Sequence, residues 1–174
     1  MRNFLAFMLL FCAIHAEAGQ NLFIVKKSLH AKNIFKVDAQ VDSNCALVPY
    51  PNHKYIEGYW IMGEDRGQRE EMNSTEAQGF ASKAVMTYLN TNRTEMDFQP
   101  ANMDKARRYF SDPRIRVRTK VANGRCQVDA FMEIDNAEIK LKEIFVDLSM
   151  LLRIDYVTVR GVRADGSGFY KLYR

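Results

Sequence analysis

Over residues 114–173, apolar and polar residues alternate in short runs separated by Gly, Asn and Asp, a pattern that admits strands joined by tight turns and little else. The runs span 114–121, 125–134, 139–148, 154–163 and 169–173. Asn123-Gly124 and Asp165-Gly166 separate two pairs of them, and such dipeptides suit two-residue hairpins because their central residues tolerate positive φ. Upstream, the β-branched and aromatic runs 22–27, 33–41 and 55–62 predict three more strands, and 86–90 with 94–99 predicts a hairpin around Thr91, Asn92 and Arg93. Residues 63–73, rich in charge and carrying Gly63 and Gly67, read as an exposed loop. Only two windows suit a helix. One spans 73–83, with Ser74 or Thr75 as N-cap and Gly79 weakening it; the other spans 103–110, with Asn102 as cap, Asp104 in the first turn and Pro113 beyond its end. The fold expected is mainly β: an antiparallel β-sandwich or partly closed barrel with one or two short helices.

Residues 1–18 stand apart from this pattern. Arg2 supplies a positive n-region, residues 4–14 an apolar h-region, and Ala16-Glu17-Ala18 a small-x-small cleavage site, so they read as a signal peptide ahead of a single β-rich domain, 19–174. The apolar run is well short of the roughly 20 residues that a membrane-spanning helix needs, which favours cleavage over anchoring. Lipidation at Cys12 would want a small residue where Phe11 stands. Cleavage removes Arg2 and Glu17 together, so the net charge of +4 is unchanged and the product is expected to be secreted or periplasmic. A mixed surface with so modest a basic excess does not call for nucleic acid, and no transmembrane segment remains after cleavage.

Cys12 leaves with the leader, and Cys45 and Cys126 remain as an even pair in an oxidising compartment, predicting a disulfide. The loop closed is about 80 residues, for which the chain-entropy account gives on the order of 4 kcal/mol as an upper value. The rival reading makes Cys45 a nucleophile served by His53. Asn73-Ser74-Thr75 and Asn92-Arg93-Thr94 match the N-glycosylation tripeptide, which matters only in a eukaryotic secretory pathway.

Arg114, Arg116, Arg118 and Lys120 alternate with Ile115, Val117, Thr119 and Val121, placing four cations on one face of a strand. A two-residue turn at Asn123-Gly124 sets Arg118 opposite Asp129, Arg116 opposite Phe131 and Arg114 opposite Glu133, so the stripe largely neutralises itself. For the next connection, a four-residue loop 135–138 pairs Glu133 with Lys140 and Phe131 with Lys142. A two-residue turn at Asp135-Asn136 would oppose Glu133 to Glu138, and like charges directly opposite are unfavourable. The expectation is therefore a ladder of Arg114, Glu133 and Lys140, with Arg116 and Lys142 flanking Phe131 as cation–π partners.

The residues offer little chemistry. Only His30 and His53 remain after cleavage, and neither zinc spacing nor a phosphate-binding loop occurs, so no metal and no cofactor is implied. Gly166-Ser167-Gly168 follows Asp165 as part of a turn and lacks the strand-to-helix setting of a nucleophile elbow. The candidate site is aromatic: Tyr50, His53, Tyr55 and Tyr59, followed by Glu64, Asp65 and Arg66, a set able to stack on a ligand and orient its polar groups. Strand alternation puts Trp60 and Tyr59 on opposite faces, with Trp60 expected inward.

Leu22-Phe23-Ile24-Val25, Asn33-Ile34-Phe35, Tyr59-Trp60-Ile61-Met62, residues 141–146 and residues 154–157 together make the chain resemble an uncharacterised bacterial family of exported domains of unknown function. The resemblance implies export and assigns no catalytic residue. By the same comparison, residues 104–111 stand as an insertion. The function expected is a non-catalytic binding module for an envelope component, whether glycan, lipid or protein. The alternatives are a hydrolase using His53 with Glu64 or Asp65, and a structural envelope protein that pairs through a strand edge.

Overall fold

The computed structural model describes residues 19–28, 34–61, 69–71, 84–100, 103–149 and 153–174. The leader 1–18, His30, the helix expected over 73–83, Glu64, Asp65, Arg66 and the tripeptide at Asn73 lie outside these residues. The described chain is mainly strand, in a strongly curled half-barrel sheet. Its elements are β1 (Gln20–Lys27), β2 (Ile34–Val41), β3 (Leu47–Val48), β4 (Ile56–Ile61), β5 (Arg69–Glu71), β6 (Ala84–Leu89), β7 (Glu95–Pro100), α1 (Met103–Arg107), β8 (Ile115–Ala122), β9 (Arg125–Ile134), β10 (Ala137–Leu148), β11 (Ile154–Val162) and β12 (Gly168–Tyr173). Two of them correct the sequence reading: β5 falls inside the expected loop, and α1 stops at Arg107, three residues short of the expected helix. The short β3, paired with β2, is a further addition.

Strands run in the order β5-β4-β2-β1-β10-β9-β8-β7-β6, with β11 and β12 added beside β10. β10 is the branch point. Its Lys140 pairs with Phe131 of β9 and Val162 of β11, and its Glu143 pairs with Ile24 of β1 and Arg160 of β11. One edge of β10 therefore carries β11, and the other carries β9 and then β1. β9 runs antiparallel to β10 but β1 runs parallel to it, a pairing that the purely antiparallel expectation did not include. Two arms, β1-β2-β4-β5 and β9-β8-β7-β6, diverge from that edge and curl over a common core of Phe23, Val25, Phe35, Val37, Trp60, Met96, Phe98, Val117, Ala130, Ile139, Leu141 and Val159.

Where the arms part, side chains take over from the ladder. The Gln20 amide donates to the Cys126 carbonyl (3.0 Å) and accepts from the Val128 N–H (3.1 Å), closing the gap between β1 and β9. Beside it Cys45, just after β2, is joined to Cys126 at the start of β9, with Cα atoms 5.2 Å apart. The bonded sulfur of Cys45 is no nucleophile. Asp42 shapes the approach, its carboxylate accepting the Asn44 and Ala46 N–H groups at 2.9 and 3.0 Å.

The Asn123-Gly124 hairpin has the expected register, with Arg118 opposite Asp129 and Arg116 opposite Phe131. The following turn does not. Asp135 and Asn136 both take positive φ (55° and 59°), making a two-residue turn that sets Glu138 opposite Glu133 and Lys140 opposite Phe131. Both registers keep Ile134, Met132, Ile139 and Leu141 on the core face, so burial does not choose between them. Arginines remove the like-charge objection: Arg118 reaches Glu138 at 2.7 Å and Arg116 reaches it at 3.6 Å. The ladder of Arg114, Glu133 and Lys140 is absent. Arg114 turns instead to Asp112, and Arg118, not Arg116 or Lys142, lies over the Phe131 ring at 5.2 Å. β7 adds to the neutralisation of the stripe, with Arg116 meeting Glu95 at 3.2 Å and Asp97 at 3.1 Å.

Asp129 is buried on that face between Lys120 (3.0 Å) and Lys140 (2.5 Å). Burial pushes its carboxyl up, but the two ammonium groups outweigh this and hold it below the usual range. A depressed folded-state pKa stabilises above the unfolded value of about 3.9 and ceases to do so as pH falls through the folded value. Asp129→Asn should therefore lower the melting temperature at neutral pH, and the difference from wild type should shrink below about pH 4 in a thermal-melt series. For the bridge, non-reducing peptide mapping should recover Cys45 joined to Cys126. The double substitution Cys45→Ser, Cys126→Ser should cost about 2–5 kcal/mol in denaturant unfolding.

Candidate functional site

β4 is the strand around which the aromatic residues divide. Alternation sends Ile56, Gly58 and Trp60 toward the core and Glu57, Tyr59 and Ile61 to the other face. Trp60 is inward as expected: it is 2% exposed and meets Phe35 edge-on at 5.5 Å, and the Lys27 ammonium lies 4.4 Å from its ring centroid. Phe35 in turn owes its place to Gly58, because a Cβ there would stand 2.2 Å from the Phe35 ring.

Between the arms lies a cavity of about 180 Å³. Phe35 and Val37 of β2 and Ile56 of β4 wall one side, and Met86 of β6 with Met96 and Phe98 of β7 wall the other. His53, Lys54, Tyr55 and Glu57 border it from β4 and the turn before it. That turn is built by its own sequence. Pro51 stands at the position where a fixed φ near −65° suits a β-turn, the His53 N–H donates to the Tyr50 carbonyl (2.8 Å), and the Lys54 N–H donates to the Asn52 side chain (3.0 Å). His53 then takes the left-handed conformation, φ 62°. The result is an apolar recess bordered by His53, Lys54 and Tyr55, with the backbone of Glu57 beside them.

The structure thus separates the residues that the sequence grouped. His53 and Tyr55 border the cavity. Tyr50 and Tyr59 are buried elsewhere, 6% and 9% exposed, and the Tyr59 hydroxyl donates to Asp38 Oδ2 at 2.6 Å. Sequence reasoning missed the opposite wall. Met86, Met96 and Phe98 lie some forty residues downstream, and only the curl of the sheet brings them to Phe35. A second cavity, of about 240 Å³, lies on the charged face between Asp97, Arg116, Glu133 and Glu138, where Arg116 is paired with Asp97 and Glu138.

Residues 23–171 match the model of a domain of unknown function, DUF4833, and the chain belongs to that family. No curated protein and no solved structure matches it. Among the described residues, no helix is long and apolar enough to cross a membrane, and no group of His, Cys, Asp and Glu could hold a metal ion.

Gly58 is the most exacting position in the cavity wall. Gly58→Val should force the Phe35 ring out of its seat, at a cost of about 1–3 kcal/mol from overpacking, read as a lower melting temperature with loss of the Trp60 fluorescence environment.

Proposed function

We propose that the chain is an exported, non-catalytic binding module whose cavity takes one apolar group of an envelope component. The carrying observation is the cavity between the arms, walled by Phe35, Val37, Ile56, Met86, Met96 and Phe98 and bordered by His53 and Lys54. Whole small-molecule ligands occupy about 300–1,000 Å³, whereas a cavity near 150 Å³ accepts a single benzene ring. At about 180 Å³, this recess suits a ring or a branched aliphatic tip, an anchor belonging to a larger partner. That size favours a lipid or protein partner over a glycan. Methionine walls suit such a role, because their unbranched thioethers adapt to different apolar shapes. The Cys45–Cys126 pair supports passage through an oxidising compartment, and the leader-like residues 1–18 supply the route.

Indole, a ring-sized probe, tests the reading in protein carrying 13C-labelled methionine methyls. The Met86 and Met96 resonances should shift on titration, while that of Met132, 3% exposed and outside this cavity, should not. Unmoved Met86 and Met96 methyls, or a Met132 response as large as theirs, would remove the cavity as a ligand site.

A further inference from the structure

On the outer face of β2, Asp38 is a carboxylate only 6% exposed. It accepts from the Tyr59 hydroxyl at 2.6 Å and from the Asn21 side-chain amide at 3.0 Å. Both donors are neutral, and among the described residues no cationic side chain forms an ion pair with it. Glu57 of β4 stands directly across from it in the ladder, and Lys36, the cation nearest along its own strand, lies two residues away on the same face without reaching it. A carboxylate taken out of water in this way is costly unless a positive charge meets it.

Gly19 lies against this group. A Cβ built at Gly19 would stand 2.8 Å from the Tyr50 hydroxyl, 3.4 Å from Asp38 Cβ and 3.5 Å from Asp38 Oδ2, so residue 19 packs against both side chains with no room for one of its own. Gly19 is also the residue that follows the small-x-small pattern Ala16-Glu17-Ala18. Hydrolysis of the Ala18–Gly19 bond adds one water, leaving a carboxylate on Ala18 and an amine on Gly19, and the amine takes up a proton at neutral pH.

We propose that Asp38 is the binding site for the α-ammonium of Gly19, so that removal of the leader supplies the missing cation and completes a buried ion pair that clamps β1 to β2 and β4. Tyr50 and Tyr59 bracket the pair and keep water from it. A chain still carrying residues 1–18 has a neutral amide in that place. Processing and the final tightening of this corner of the sheet are then a single event.

The pairing rests on the export reading, and one set of measurements separates the two. The full 174-residue chain is expressed in an exporting host, recovered from the exported fraction and weighed by mass spectrometry. NMR titration of glycine-labelled protein then follows the Gly19 amine. It should titrate well above the roughly 7.7–8.0 of an ordinary chain terminus, and return to that range in Asp38→Asn. Inserting one Ala between Ala18 and Gly19 moves the charge away by one residue and should lower the melting temperature by a few degrees in wild type but not in Asp38→Asn. If Asp38→Asn fails to fold, the wild-type titration alone decides. A chain recovered uncut overturns the leader cleavage on which the export reading is built, and this pairing with it. A chain that begins at Gly19, yet whose amine titrates as an ordinary terminus, overturns the pairing alone.

Discussion

The architecture depends on one edge of β10 serving two strands that run in opposite directions. β9 uses the edge near Lys140 and β1 uses it from Glu143 onward. No ladder can bridge antiparallel and parallel neighbours on one edge without a break, and the break is where the sheet splits into two arms. Gln20 lends its side-chain amide to the exposed backbone of β9 there, and the Cys45–Cys126 bond holds the arms at the split. On the other edge β11 also shifts register, between Leu141 and Glu143, where Gly161 lies so close to the Lys140 carbonyl that a Cβ would stand 2.4 Å from it. The cavity is the far consequence of this arrangement, since arms joined at one end and curled toward each other leave their open faces apart.

Local rules read the strands well and their partners unevenly. Alternation and turn dipeptides located β8, β9, β11 and β12, because each is specified within a dozen residues of chain. The parallel union of β1 with β10 joins residues about 120 positions apart, and no local pattern encodes it. The turn at Asp135-Asn136 is more instructive. Charge logic applied to β9 and β10 alone rejected the two-residue turn, yet Arg116 and Arg118 from β8 neutralise the glutamate that made it look unfavourable. Turn chemistry, with two residues that both tolerate the left-handed region, was the stronger signal.

The candidate site was half legible for a related reason. The segment from Tyr50 to Trp60 is aromatic in sequence, but a strand sends neighbours to opposite faces, so closeness along the chain separates them in space. His53 and Tyr55 border the recess, whereas Tyr59 belongs to the hydrogen-bonded group around Asp38. The methionine wall came from β6 and β7, which carry no local mark of that role.

β6 ends the order of described strands, with Val85, Met86 and Tyr88 about half exposed. An outer strand with apolar side chains in water is a template on which foreign chains can stack. The register shift between Met86 and Tyr88 spoils that template. An intruding strand that begins in phase at Ala84 is out of phase before it reaches Leu89, so polymerisation gains only a few hydrogen bonds before it must break step. The shift begins at Met86, which also lines the recess, so the strand's protection and the cavity wall meet at one residue.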